Sequence, residues 1–196
     1  MKYWFVFCKS DILLEKHPDG HFEIPCSEEP PVLIKPWTHI MNIAPTDHNN
    51  GTEIKTFSVD DPSKTTLTKF PGHTISEDTH YAMCGLRASY YKIPYDLYRE
   101  AGKCSELLYW DKNTPFCGVC GAPMKMHTDI SKRCTNCGKE VWPQLATAII
   151  VLIHKGDAVR LVHARDFKSD IYGLVAGFVE TGETLKETVY REVKEE

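Results

Sequence analysis

Three glutamates near the end of the 196-residue chain are spaced so that they could hold a divalent cation. Glu192, Glu195 and Glu196 stand at positions i, i+3 and i+4, which share one face of an α-helix. Carboxylates this close repel one another, at a cost of roughly a few tenths of a kcal/mol per pair. A hard cation such as Mg²⁺ removes the repulsion, because it accepts carboxylate oxygens together with water and substrate phosphate. The alternative is a solvated acidic helix face, the usual fate of a run of charge.

The loop before this helix favours the metal-site interpretation. Gly177 ends an apolar strand, and Gly182 permits a tight turn. Glu183 stands eight residues before Arg191, so the arginine inside the acidic face is predicted to pair with Glu183 or a neighbouring carboxylate. The loop and the helix are therefore predicted to form one site, in which the Arg191 side chain holds neighbouring carboxylates in place.

A second constellation, within residues 113–141, has the spacing of a structural zinc site. Two C-x-x-C pairs are separated by thirteen residues, and each is followed by a glycine whose backbone can reach positive φ. Such knuckles supply four soft ligands and leave no open position for water. A redox dithiol is the alternative, and it would require the two knuckles to coincide by chance. The predicted zinc ligands are Cys117, Cys120, Cys134 and Cys137.

The bulk composition limits the class of protein. A net charge of −4 gives no basic field for non-specific nucleic-acid binding, and 42% hydrophobic residues are typical of a globular protein. The N-terminus, MKYWFVFCKSD, has too short an apolar run for a signal peptide, and no segment reaches the ~20 apolar residues of a membrane span. We therefore expect a cytoplasmic location, no membrane association and cysteines that bind metal rather than form disulfides.

The elements that must position these residues begin with an N-terminal α+β domain at residues 1–112. Pro94 is predicted to open a helix, because proline fits the first helical turn. The apolar face of that helix carries Leu97, Cys104 and Leu107. The strands expected before it are 3–8, 12–15, 21–24, 40–44 and 53–59.

Residues 142–196 are predicted to form a further domain. Its first strand lies in the run LATAIIVLI, which suits a strand buried on both faces. A helix begins near Thr184, and its apolar stripe of Leu185, Val189 and Val193 is expected to pack on the sheet. The strands expected here are 145–153, 159–164 and 172–178.

These residues fit the Nudix box, G-x5-E-x7-R-E-U-x-E-E-x-G-U, where U is a bulky aliphatic residue. Every box position present in the sequence matches: Gly177, Glu183, Arg191, Glu192, Val193, Glu195 and Glu196. More narrowly, the chain resembles the NADH pyrophosphatases of the NudC type, in which an N-terminal domain, a zinc ribbon and a Nudix domain follow in this order. The resemblance rests also on AGKCSELLYWDKNTPFCGVCG, WPQLATAIIVLI and YGLVAGFVETGETL.

The resemblance implies a fold and a catalytic centre. Residues 142–196 would be the first half of a Nudix α/β/α sandwich. Catalytic Mg²⁺ or Mn²⁺ would be held by the box glutamates and by the backbone carbonyl of Ala176, and one glutamate would act as base on the attacking water. The catalytic residues that the resemblance implies are Glu183, Arg191, Glu192, Glu195 and Glu196.

The resemblance also implies substrate contacts. Phe178, directly after the box glycine, is similar to the aromatic residue that stacks on nicotinamide. Trp142 matches an aromatic position that lines the substrate pocket, and Arg87 resembles an arginine of the N-terminal domain that contacts substrate. The alternatives are a buried aromatic residue for Trp142 and a plain surface arginine for Arg87.

The implied activity is metal-dependent hydrolysis of NAD(H) to nicotinamide mononucleotide and AMP, with NAD-capped RNA carrying the same bond. Hydrolysis of another nucleoside diphosphate derivative, such as ADP-ribose, is one alternative, and a non-catalytic nucleotide- or RNA-binding module is another. The resemblance also suggests a homodimer. Because the second half of the family's sandwich is not in this sequence, we expect exposed apolar surface, an unpaired strand edge and no activity from the 196-residue chain alone.

Overall fold

The computed structural model describes residues 1–46, 52–60, 80–163 and 171–196. The chain divides into two compact units, Met1–Pro143 and Gln144–Glu196. The first contains the N-terminal sheet and the cysteine module, and the second contains the acidic helix. Within the described ranges, no helix is long and apolar enough to cross a membrane.

A seven-stranded sheet forms the framework of the first unit. Its strands are β1 Lys2–Cys8, β2 Asp11–Lys16, β3 Phe22–Glu23, β4 Cys26–Ser27, β5 Met41–Ile43, β6 Glu53–Ser58 and β7 His80–Gly85. β1 lies centrally, antiparallel to β2 and β4 and parallel to β6. β3 and β7 both pair with β2, and β5 pairs with β6.

Successive side chains of β1 point to opposite faces of the sheet, and both sets are buried. Both faces of the sheet are therefore covered at β1. Phe5 and Phe7 belong to one hydrophobic cluster, and Trp4 and Val6 belong to another. Two helices follow the sheet, α1 Leu86–Ser89 and α2 Tyr95–Asn113. α2 contributes Ala101, Cys104, Leu107 and Trp110 to the Phe5 cluster. The α+β architecture predicted for this part of the chain is confirmed.

Two details of the first unit differ from the sequence prediction. Pro94 is the N-cap of α2 rather than a residue of its first turn. The strand β7 has no counterpart in the prediction, since HYAMCG has no regular alternation of apolar and polar residues. Its strand conformation follows from pairing along the whole of β2, from Asp11↔Gly85 to Lys16↔His80.

The cysteine module adds a three-stranded antiparallel sheet, with β8 Met124–Thr128, β9 Ser131–Cys134 and β10 Glu140–Val141 in the order β10-β9-β8. Lys132 of β9 joins this sheet to the end of α2. Its Nζ lies 2.8 Å from Asp111 Oδ1 and donates to the backbone carbonyls of Asp111 (2.6 Å) and Thr114 (3.1 Å). Because the Lys132 side chain is only 5% exposed, these three acceptors replace the water that its charge has lost.

The second unit contains β11 Ala148–Val151, β12 His154–Lys155, β13 Ala158–Val159, β14 Val175–Phe178 and α3 Leu185–Glu195. β11 and β14 pair antiparallel, with Ile149 opposite Gly177. The strand expected at 159–164 is represented by β13 and by a bridge between Val162 and Gly173, and position 164 lies outside the described residues.

The packing of the second unit differs from the expectation in two respects. β11 is not buried on both faces, since Ile150 is 71% exposed and α3 is the element packed on the β11–β14 pair. The apolar stripe of α3 is only partly covered, because Val189 is half-buried whereas Leu185 is 59% exposed and Val193 is also exposed. Thr188 is the buried residue of α3, and the carboxylate of Glu192 lies against Gly177.

We expect Lys132→Met to lower the free energy of unfolding of the first unit by about 3 kcal/mol, because removal of one member of a buried ion pair leaves its partner uncompensated. Two backbone carbonyls at the end of α2 also lose their donor. Urea unfolding followed by circular dichroism measures the change. Lys125→Met, an exposed lysine on the neighbouring strand β8, is the matched control and should change little. Equal stability of the two variants would contradict the role given to Lys132.

Candidate functional site

The helix that carries the box glutamates begins with a capping box. Thr184 is the N-cap of α3, and its Oγ1 accepts a hydrogen bond from the backbone N–H of Glu187 at 3.3 Å. The Thr184 backbone N–H donates in return to Glu187 Oε2 at 2.8 Å. This backbone hydrogen bond also lowers the pKa of Glu187. Glu187 therefore fixes the start of the helix, a role that the T-x-x-E spacing predicts but that the sequence analysis did not assign.

Arg191 and Glu183 form a two-pronged ion pair between α3 and the loop before it. Arg191 Nε donates to Glu183 Oε1 at 2.7 Å, and Arg191 Nη2 donates to Glu183 Oε2 at 3.0 Å. The same Oε2 accepts from Thr188 Oγ1 at 2.9 Å and from the backbone N–H of Glu180 at 3.1 Å. Arg191 first, and these hydrogen bonds after it, lower the pKa of Glu183 from 4.5 to about 2. Glu183 is thus a fixed anion that holds Arg191 in place.

Arg191 also reaches the strand and the other box glutamates. Its Nη1 lies 2.8 Å from Glu192 Oε1 and 3.6 Å from Glu195 Oε2, and its Nη2 donates to the backbone carbonyl of Phe178 at 2.9 Å. The carboxylates of Glu183 and Glu192 raise the pKa of Arg191 further above its usual range. One guanidinium therefore ties the end of β14, the loop and α3 together.

Gly177 is required by the closeness of β14 and α3. A Cβ added at this position would collide with the carboxylate of Glu192, which lies directly over the strand. The Glu192 side chain is correspondingly half-buried, and its Oε1 is held by Arg191. The box glycine and the box arginine thus fix the same carboxylate from two sides.

The three box glutamates proposed as metal ligands differ in how firmly other residues hold their side chains. Glu192 is braced, whereas the Glu195 side chain is 58% exposed. Glu196 caps the helix, its backbone N–H donating to the Glu192 carbonyl at 3.3 Å. Across the described part of the chain, these three carboxylates do not form a cluster with one oxygen from each within 4.8 Å. Ala176 lies in β14 opposite Ile150.

The residues proposed to contact substrate are all exposed. Phe178 ends β14 and is 65% exposed, and Trp142 is 53% exposed. Trp142 is therefore not buried within this chain. Arg87 lies on α1 with its side chain exposed, and no hydrogen bond or ion pair with another described residue engages its guanidinium.

The four predicted zinc ligands converge at one point. One sulfur from each of them lies within 4.8 Å of every other. Two Sγ···Sγ distances are 3.7 Å (Cys117–Cys137) and 3.4 Å (Cys120–Cys134), close to the separation of about 3.8 Å that four sulfurs at 2.3 Å from a tetrahedral zinc require. Backbone N–H groups aimed at the sulfurs lower the pKa of the Cys117 and Cys134 thiols, which favours the thiolate form that binds metal.

Positive φ angles shape both knuckles. Gly121 has φ +72° and Gly138 has φ +75°, conformations that residues with a Cβ rarely adopt. Each glycine follows the second cysteine of its pair, so the backbone turns back around the metal position. The expectation of a structural zinc site with four cysteine ligands fits this geometry.

The contribution of Glu183 to stability is expected to depend on pH. Its folded pKa lies below its ordinary value, so the stabilisation is complete above about pH 4.5 and is lost as the pH falls toward 2. We expect Glu183→Gln to lower the melting temperature of the second unit at neutral pH. Near pH 2 the variant and the wild type should melt at the same temperature. Thermal unfolding at several pH values measures this, with Glu180→Gln as a control in the same loop. A difference that does not change with pH would contradict the assignment.

Zinc in the cysteine module should survive dialysis against metal-free buffer. We expect one zinc per chain to remain, because four thiolates bind the ion tightly and leave no open position. Cys134→Ser should lose that zinc and the fold of the ribbon, while Cys26→Ser, a half-buried cysteine that joins no metal-binding cluster of described residues, should keep both. Elemental analysis measures the zinc. Retention of zinc by Cys134→Ser would rule out the four-cysteine site.

Comparison with known protein families gives a consistent result along the chain. Residues 1–110 match the NADH pyrophosphatase-like rudimentary NUDIX domain, which covers more than half of the chain. Residues 112–141 match the NADH pyrophosphatase zinc ribbon domain, and residues 142–196 match the NUDIX domain.

Among curated proteins, the chain is 36% identical over 115 residues to the NAD-capped RNA hydrolase NudC of Stutzerimonas stutzeri, covering 57% of this chain and 41% of that protein. It is 39% identical over 119 residues to the protein of the same name from Deinococcus radiodurans, covering 58% and 42% respectively. The chain thus spans less than half of the length of these relatives. The order of the three matches, together with the box and the cysteine cluster, shows that the chain belongs to the zinc-ribbon-containing, NADH pyrophosphatase-like family of NUDIX proteins.

Proposed function

We propose that the protein hydrolyses the pyrophosphate bond of NAD(H) to nicotinamide mononucleotide and AMP, and that it removes the same group from NAD-capped RNA. The observation that carries the proposal is the constellation of Gly177, Glu183, Arg191 and Glu192, in which a glycine and a doubly paired arginine hold one carboxylate over a strand. The names of the curated relatives and of the matched family models support the choice of substrate.

The cation that this reaction needs is proposed to be Mg²⁺ or Mn²⁺. Carboxylate oxygens of Glu192, Glu195 and Glu196 and the carbonyl of Ala176 form an all-oxygen donor set, which is the set that hard cations prefer. The bound ion would neutralise the pyrophosphate and lower the pKa of a water molecule. One of the glutamates would accept a proton from the attacking water. Arg191 positions Glu192, and Glu183 positions Arg191.

Substrate selection is proposed for three exposed side chains. The open ring of Phe178 offers a flat face on which nicotinamide can stack. Trp142 offers a second aromatic surface, and the exposed guanidinium of Arg87, which pairs with no described residue, suits a phosphate oxygen. Their exposure supports these roles, because a side chain that must meet a ligand has to be accessible.

We propose further that the protein is a cytoplasmic homodimer and that the 196-residue chain by itself is inactive. The exposed apolar side chains of the second unit support the need for a covering surface, and Leu152, Leu161 and Tyr190 are among them. The box carboxylates that are not gathered around one point support low activity of the isolated chain.

The decisive assay follows release of AMP from NADH with Mn²⁺ or Mg²⁺, using the 196-residue chain and, in parallel, a longer product of the same gene. We expect turnover only in the longer product. Glu195→Gln should reduce it by more than about 100-fold, since loss of a group that merely supports a metal ligand already costs 10–100-fold. Gly177→Ala should have a similar effect because it displaces Glu192.

The control is Glu180→Gln, an exposed acid of the same loop, which should keep wild-type turnover. Turnover that is unaffected by chelation or by Glu195→Gln would overturn the proposal. A higher kcat/KM for ADP-ribose than for NADH would reassign the substrate. Binding of NADH without hydrolysis in every product would indicate a binding module.

A further inference from the structure

A tight hairpin between β2 and β3 brings two histidines together, far along the chain from the box and the cysteine knuckles. The backbone N–H of His17 donates to the His21 carbonyl at 3.0 Å, so the two residues face one another across the turn. Gly20, with φ +91°, closes the turn, and its N–H donates to the His17 carbonyl at 2.9 Å. The two imidazole rings stack at 4.1 Å with an angle of 2° between their planes.

A carboxylate faces the same edge of both rings. Glu23 lies two residues beyond His21, so the strand alternation places their side chains on one face of the hairpin. Glu23 Oε2 lies 3.2 Å from His17 Nε2, and Glu23 Oε1 lies 3.5 Å from His21 Nε2. One ligand atom from each of the three residues lies within 4.8 Å of the other two.

A fourth residue orients one of these rings. His21 Nδ1 is hydrogen-bonded to the Asp19 carboxylate, which also accepts from the His21 backbone N–H at 3.1 Å. With Nδ1 engaged in this way, Nε2 is the nitrogen left to bind a ligand. A carboxylate behind an imidazole is the usual support of a metal-binding histidine, because it fixes the ring and its tautomer.

The second histidine contacts the same carboxylate. His17 Nε2 is shielded from solvent and lies 3.2 Å from Glu23 Oε2, but it forms no well-aligned hydrogen bond with a described residue. Buried polar atoms are usually hydrogen-bonded. A cation between His17 Nε2, His21 Nε2 and Glu23 would give this nitrogen a directed bond and keep Glu23 as its neighbour.

We propose that His17, His21 and Glu23 bind a divalent transition metal of the zinc class, with Asp19 as the supporting carboxylate. Two imidazole nitrogens and one carboxylate oxygen are a ligand set that suits Zn²⁺, and water completes the tetrahedron. Bond lengths of about 2.0–2.1 Å require the nitrogens to be about 3.4 Å apart, and binding requires the two rings to turn out of their stacked arrangement so that both lone pairs point at the ion. This site differs from the cysteine cluster in its ligands and its open position, and it is independent of the proposed hydrolase activity.

The test is a titration of the 196-residue chain with Zn²⁺, followed by calorimetry, after the cysteine site has been filled and loosely held metal removed by dialysis against metal-free buffer. We expect one further equivalent to bind. His21→Ala should abolish it, and Asp19→Asn should weaken it by about 10–100-fold without removing a ligand. His39→Ala is the matched control, because His39 is also an exposed histidine beside a carboxylate, 3.3 Å from Asp111, but joins no metal-binding cluster of three described residues.

The imidazole nitrogens give a second measurement that does not depend on the variants. In ¹⁵N-detected spectra, Zn²⁺ should shift Nε2 of His17 and His21 and leave the corresponding signal of His39 unchanged. Retention of the cysteine-bound zinc confirms that each variant is folded. The absence of a second equivalent, or a second equivalent that persists in His21→Ala and Asp19→Asn, would overturn the proposal and leave an ion-pair cluster of histidine and glutamate.

Discussion

The geometry of the second unit depends on how one guanidinium is shared. Arg191 places Nε and Nη2 on Glu183, Nη1 on Glu192, and Nη2 also on the carbonyl of Phe178. A planar guanidinium has five donors in a fixed fork, so each contact constrains the direction of the others. A lysine could replace the charge but not the fork. The strand end, the loop and the helix are therefore positioned by a single residue, and the carboxylate of Glu192 is positioned with them.

In the first unit, the positively charged side chain of Lys132 holds several oxygens in a similar way. Lys132 satisfies three oxygens at the end of α2, and its ammonium lies over the ring of Trp110 at 5.4 Å. Here the acceptors include two backbone carbonyls, which a helix terminus leaves without intrahelical partners. A compact ammonium suits that task because its three donors need no common plane. The zinc ribbon is thus attached to the sheet domain through a helix end.

The sequence predicts best what depends on local spacing. The two cysteine knuckles and the pairing of Glu183 with Arg191 follow from fixed intervals along the chain, and the structure brings both sets together. The packing of α3 does not follow, because the apolar stripe suggests Leu185 as a buried residue, whereas Gly177 leaves room for the carboxylate of Glu192 against the strand and Leu185 is 59% exposed. The sequence did not predict β7 or the cluster of His17, His21 and Glu23 for a related reason. Both depend on the pairing of β2 with other strands, and that pairing cannot be read from the spacing of residues along the chain.

Three sets of metal ligands are proposed among the described residues, and the fold arranges them to different degrees. The cysteine sulfurs are held by backbone N–H groups, and the hairpin histidines are held by strand register. The carboxylates of α3 are arranged less completely, because Arg191 already neutralises part of their charge. Glu192, fixed by Arg191 and by contact with Gly177, is the constant member of that set. Glu195 is exposed and contacts Arg191 only at 3.6 Å, so the proposed metal ion would bind it at little cost in ion-pair free energy.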